Sequence, residues 1–134
     1  MKIFLNKVQL VLLFFCIGFV TCKPNEKISQ TLTEHELIVG KWTLESAKTL
    51  GMELTPDQLG GSIYIEFKED GTGIFSTPDG KVDSGKYLLK EGKIFDPEDD
   101  SETPLTILAL TEQQLIVSML FDGQEIEMRF IPSQ

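Results

Sequence analysis

Across residues 40–132 hydrophobic and polar side chains trade places with a period of two, the spacing of strands with one covered face. Trp42, Leu44 and Ser46 alternate with Thr43, Glu45 and Ala47, and Ile63, Ile65 and Phe67 alternate with Tyr64, Glu66 and Lys68. Further on, Leu115, Val117 and Met119 alternate with Ile116 and Ser118. Ile126, Met128 and Phe130 then alternate with Glu125, Glu127 and Arg129 until Pro132 ends the run. Residues 72–77, 82–90 and 93–95 read as intervening strands, and 105–110 is apolar enough to predict a strand covered on both faces. Asp70-Gly71, Asp79-Gly80, Glu91-Gly92 and Asp122-Gly123 supply the turn dipeptides of hairpins.

This pattern predicts an all-β fold of eight short antiparallel strands in up-and-down order. Closing such a meander into a barrel removes its exposed edges. The one long connection, residues 50–60, contains Thr55-Pro56-Asp57-Gln58-Leu59, a single helical turn with Thr55 as cap and Pro56 at the first helical position. Ahead of the strands, Thr33 and Glu36 form a capping box for one short helical turn through Leu37, Ile38 and Val39, which Gly40 terminates.

The start of the chain follows another rule. Lys2 and Lys7 precede an unbroken apolar run over residues 10–20, and no acid occurs among residues 1–21. A membrane-spanning helix needs roughly 20 apolar residues, so the run fits the core of a secretory signal. Phe19-Val20-Thr21-Cys22 resembles the lipobox of bacterial lipoproteins, in which a small residue precedes an acylated cysteine. The resemblance implies cleavage before Cys22, lipid on its thiol, and anchorage in the bacterial cell envelope, at the outer membrane. The alternative is an ordinary export signal beside an incidental cysteine. The expected organisation is a signal peptide over 1–21, a lipidated N-terminus and tether over 22–33, and a barrel domain over 34–134. A tether of this length reaches on the order of 30 Å when extended.

Without its leader the chain keeps 113 residues (134 − 21), enough for one domain, and one cysteine, so no internal disulfide. It keeps 10 basic and 21 acidic residues, a net charge of 10 − 21 = −11. That charge repels nucleic acid and anionic lipid surfaces, so membrane attachment falls to the N-terminal lipid.

Gly40-Lys41-Trp42 at the head of the first strand, behind a short helical lead, resembles the GxW signature of lipocalins; the hairpin FKEDGTGIF at 67–75 agrees with it. Over residues 37–132 the chain is similar to the small lipocalin-like domains of bacterial lipoproteins. The resemblance implies that Trp42 packs across the closed end of the barrel and that Gly40 allows a tight backbone approach. It also makes Arg129, the only arginine, the counterpart of an arginine that stacks on the tryptophan; the other reading of Arg129 is a solvated outward residue. The barrel is short, 93 residues over 40–132. An eight-stranded barrel is filled by its own side chains or holds one small ligand.

Candidate chemistry is sparse. His35, the single histidine, precedes the barrel, so neither a nucleophile–base pair nor a His/Cys zinc set can be assembled. The acidic stretch 96–102 lacks the ligand spacing and central glycine of a calcium loop and reads as solvated surface. No catalytic residue, metal ligand or cofactor is expected. The apolar stripe of Ile63, Ile65, Phe67, Leu115, Val117, Met119, Ile126, Met128 and Phe130, with Tyr87, forms either a packed core or the lining of a site for a small hydrophobic or amphiphilic ligand. With a filled barrel the chain would be a structural or interaction lipoprotein for a protein partner that no motif identifies.

Overall fold

The computed structural model describes residues 32–99 and 103–134; the leader, Cys22, the tether up to residue 31, and residues 100–102 lie outside the described residues. Leu32–Gln134 forms one compact unit. It begins with helix α1 (Glu34–Ile38), capped as the sequence predicts. The Thr33 amide and hydroxyl donate to the Glu36 carboxylate at 2.8 and 2.9 Å, and the Glu36 amide donates back to Thr33 Oγ1 at 3.3 Å. Those two Thr33 donors, the amide first, hold the Glu36 carboxyl below its ordinary value. The helix stops one residue earlier than expected, because Val39 is already extended.

A helix leaves its last carbonyls without intrahelical partners. Here the Ile38 carbonyl, buried beneath the barrel, accepts a 2.8 Å hydrogen bond from Trp42 Nε1. The Ile38 side chain and the Trp42 ring are both buried. The bond therefore satisfies an orphan acceptor and the indole donor together, and locks the helix onto the first strand.

Ten antiparallel strands follow among the described residues: β1 (Gly40–Thr49), β2 (Met52–Leu54), β3 (Tyr64–Phe67), β4 (Thr72–Ser76), β5 (Val82–Lys86), β6 (Leu88–Lys90), β7 (Lys93–Phe95), β8 (Leu105–Leu110), β9 (Leu115–Phe121) and β10 (Gln124–Pro132). Neighbours run in the order β5-β4-β3-β1-β10-β9-β8-β7-β6, with β2 on β1 as a short extra arm. The two ends of this path are consecutive in sequence. Residues 82–90 are one extended run that pairs with β4 through its first half and with β7 through its second. Counted that way, and with β2 set apart, the wall has the eight expected strands, in meander order around a nearly closed barrel.

Tyr87 stands where the run changes partners. Its amide donates to Gly71 O and its hydroxyl to Lys68 O, both at 2.9 Å, and its ring meets Phe67 edge-on at 4.9 Å between centroids. Burial of the phenol, and secondarily the charge of Asp70, raise its pKa above the ordinary value of 10.0.

Two β-bulges alter the alternation read from sequence. Glu45 is an extra residue between the pairs Leu44↔Phe130 and Ser46↔Arg129. The parity of β1 reverses there, so Ala47 is buried and Ser46 is not, contrary to expectation. In β8, Leu108 is the extra residue between Ile107↔Val117 and Ala109↔Ile116. The evenly apolar run there reflects this reset rather than cover on both faces: Leu105, Ile107 and Leu110 pack on the core, while Leu108 is exposed.

The core gathers Ile38, Trp42, Leu44, Phe67, Ile94, Leu115, Val117 and Phe130. Complete burial of a side chain such as Phe67 contributes on the order of 2–3 kcal/mol. Replacing Trp42 with Phe leaves the Ile38 carbonyl buried without a donor and opens a void. Chemical denaturation of W42F should show a loss of about 2–4 kcal/mol.

Candidate functional site: the mouth of the barrel

Directly opposed residues of an antiparallel ladder share a face, so the register places side chains in rows around the interior. One row, Leu44–Phe130–Leu115–Leu110, belongs to the core. The next, Leu54–Ala47–Met128–Val117–Ile107, is dry at Ala47 and Val117 and half-buried at the rest. The third, Met52–Thr49–Ile126–Met119, contains no buried residue, and Met52 is 57 % exposed. Phe121 lies on the same face as Met119 two residues on, and is 64 % exposed. Dryness thus fades from the end sealed by α1 and Trp42 toward an open, apolar mouth.

A fourth row crosses the other half of the wall: Trp42–Ile65–Phe75–Asp83. Barrel strands tilt by roughly 35–45° to the axis, so a row perpendicular to the strands climbs as it goes around. Exposure rises accordingly, from a buried Trp42 through a half-buried Ile65 to Phe75, an inward aromatic that is 39 % exposed, and an exposed Asp83.

Residues 55–63 connect β2 to β3. The predicted turn is present: Leu59 N–H donates to Thr55 O at 3.1 Å and Thr55 N–H to Gln58 Oε1 at 2.9 Å. Leu59 packs against the core from this loop. Gly61 holds the loop against the β4–β5 turn; at its φ of +149° a Cβ would stand 2.8 Å from Pro78 O, so a larger residue would push the two apart.

The predicted lining residues divide. Phe67, Leu115, Val117 and Phe130 form the dry core; Ile63, Ile65, Tyr87 and Met128 are half-buried against it; Met119 and Ile126 line the mouth. Thr49, Met52, Leu54, Phe75 and Phe121 were not anticipated. Phe75 was the most legible of them, since the Asp70-Gly71 hairpin sets it opposite Ile65.

Of the two readings of Arg129 the structure takes the second: it lies between inward Met128 and Phe130, hence on the outer face and exposed, and not over the buried Trp42. The cation–π contact found among the described residues is Lys41 over Tyr64, 3.9 Å from the centroid. Gly40 needs correction. At Gly40 an added Cβ would meet nothing within 4 Å, so no close approach requires glycine there. Its φ of +139° does, as the chain swings from α1 into β1. His35 is exposed on α1, and Cys22 lies outside the described residues. In the acidic loop, Asp96 Oδ1 accepts from Glu98 N–H at 2.8 Å and Glu98 faces Lys86 at 4.0 Å. Among the described residues no three His, Cys, Asp or Glu side chains converge on a metal position.

The model of the lipocalin-like domain family matches residues 38–117, 80 of the 134 residues, and the chain belongs to that family. No curated protein matches the sequence. The matched stretch begins at Ile38, the residue that receives the Trp42 hydrogen bond.

The rim includes a strained position. Leu50-Gly51, Glu91-Gly92 and Asp122-Gly123 have positive φ at both central residues, as type I′ turns require. Leucine in the left-handed region costs roughly 1–2 kcal/mol, whereas Asn adopts it readily. Leu50, at φ 49°, is also 71 % exposed and recovers little by burial. Leu50→Asn should raise stability by about 1 kcal/mol in urea denaturation.

Proposed function

We propose that this chain is an exported, non-catalytic lipoprotein, held in the bacterial envelope by lipid on Cys22, whose barrel binds a small hydrophobic or amphiphilic molecule at its mouth. Membership of the lipocalin-like family supports a binding role. The observation that carries the reading is the set of apolar side chains on the inner face left open to solvent: Met52, Phe75 and Phe121, with Met119 and Ile126 beside them. Large exposed apolar groups at one end of a small domain mark a binding surface, and methionines adapt to irregular guests. The dry core beneath confines the guest to the mouth. A non-catalytic role is supported by the position of the single histidine, exposed on α1.

Titration of the mature protein with the uncharged fluorophore N-phenyl-1-naphthylamine should show saturable binding of one probe per chain. Met119→Asp should weaken it about tenfold or more with far-UV circular dichroism unchanged; an absence of saturable binding would remove the carrier role. The anchor has its own test. Mass analysis of the mature N-terminus should find acylated Cys22, and Cys22→Ser should move the protein to the soluble fraction; an unmodified Cys22 or cleavage elsewhere refutes the anchor.

A further inference from the structure

We infer that the guest carries an ammonium-type cationic head, held by the Asp83 carboxylate in a recess between the rings of Phe75 and Tyr87. This rests on the binding role proposed above and assigns the polar end of the same site.

Asp83, Gly85 and Tyr87 follow one another at every second residue and share the inner face of the run 82–90. Across the ladder, Asp83 opposes Phe75 and Gly85 opposes Gly73. Directly opposed residues have Cα atoms about 5 Å apart, so the carboxylate and the Phe75 ring leave adjacent points of the wall. The row between them and Tyr87 is a pair of glycines and contributes no side chain. A Cβ on Gly85 would meet nothing within 4 Å, and one on Gly73 would touch the Tyr87 ring at 3.7 Å. The Tyr87 ring thus covers Gly73, and the recess is the open space over Gly85, with Phe75 and Asp83 in the row above.

Two further observations show that this recess is open. All five residues of β5 are exposed, although alternate positions face the interior. Phe75, pointing inward, keeps 39 % of its surface in solvent. Neighbouring charged groups have partners of their own: Asp79 with Lys81 at 2.8 Å, Asp70 with the Thr72 amide at 2.9 Å, and Lys86 with Glu98 at 4.0 Å. The Asp83 carboxylate makes no hydrogen bond or ion pair among the described residues. The Tyr87 hydroxyl is committed to Lys68 O, which leaves its ring as the group available to the recess. A carboxylate without a partner, with the Phe75 ring opposite it and the Tyr87 ring over the next row, is complementary to an ammonium group, through the ion pair and cation–π attraction. An apolar tail on the same molecule would lie over the inner face of the mouth.

The test is displacement of N-phenyl-1-naphthylamine from the mature protein by decyltrimethylammonium and by decanol, each below its aggregation concentration. The ammonium compound should bind roughly tenfold more tightly than the alcohol. Asp83→Asn should abolish that preference and leave decanol unchanged, and Gly85→Leu, which fills the recess, should weaken the ammonium compound. Glu125→Gln, on the exposed outer face, should preserve the preference; its loss there would assign the effect to net charge and overturn the inference. Equal affinities in the unaltered protein, or a preference that survives D83N or G85L, would overturn it while leaving the mouth as a binding site. If neither compound nor the probe binds, the binding role itself falls.

Discussion

The hydrogen bond from Trp42 Nε1 to the Ile38 carbonyl is the constraint on which the remaining architecture depends. A five-residue helix has little stability of its own, and its C-terminal carbonyls would be costly to bury unpaired. By donating to one of them, the indole makes α1 a cap that closes one end of the barrel and lets Trp42, Phe67, Leu115 and Phe130 form a dry core. The helix, its capping box and the first strand are therefore one unit. Because core side chains occupy that end, the binding role proposed for the chain is assigned to the other.

Closure of the wall follows from a second local device. Residues 82–90 pair with β4 and then with β7, and Tyr87 bonds back to Gly71 and Lys68 at the change of partner. The barrel is thereby brought nearly to closure by a strand that serves both edges in succession. The same arrangement leaves β5, with Asp83, paired on one edge and exposed on both faces. Strand tilt does the rest: rows that start in the core on one side of the ring reach solvent on the other, so one set of alternating residues supplies both the packed interior and the open rim.

Much of the fold was legible in the sequence because strand period and turn chemistry are local properties. The Asp-Gly and Glu-Gly turns, the alternation from Ile63 to Phe67 and from Ile126 to Phe130, and the Thr33–Glu36 capping box all involve residues a few positions apart. The bulges at Glu45 and Leu108 were not legible. An extra residue in one strand is defined only by the partner it fails to match, and each bulge reverses which side chains face inward. Arg129 illustrates the same limit. Its type suits a stacking role, but its parity, set by burial of Met128 and Phe130, turns it outward.

The class of fold, the positions of most strands and turns, and the identity of the apolar stripe follow from periodicities within a few residues and are already present in the linear chain. Tertiary structure alone decided which members of that stripe are core and which are rim, because exposure depends on height in a tilted barrel and not on hydrophobicity. It also brought Asp83 opposite Phe75 and Gly85 opposite Gly73, with Tyr87 bonded beyond them at Gly71. That recess exists only once two strands pair in one register, and a slip of one residue would turn every one of those side chains to the other face.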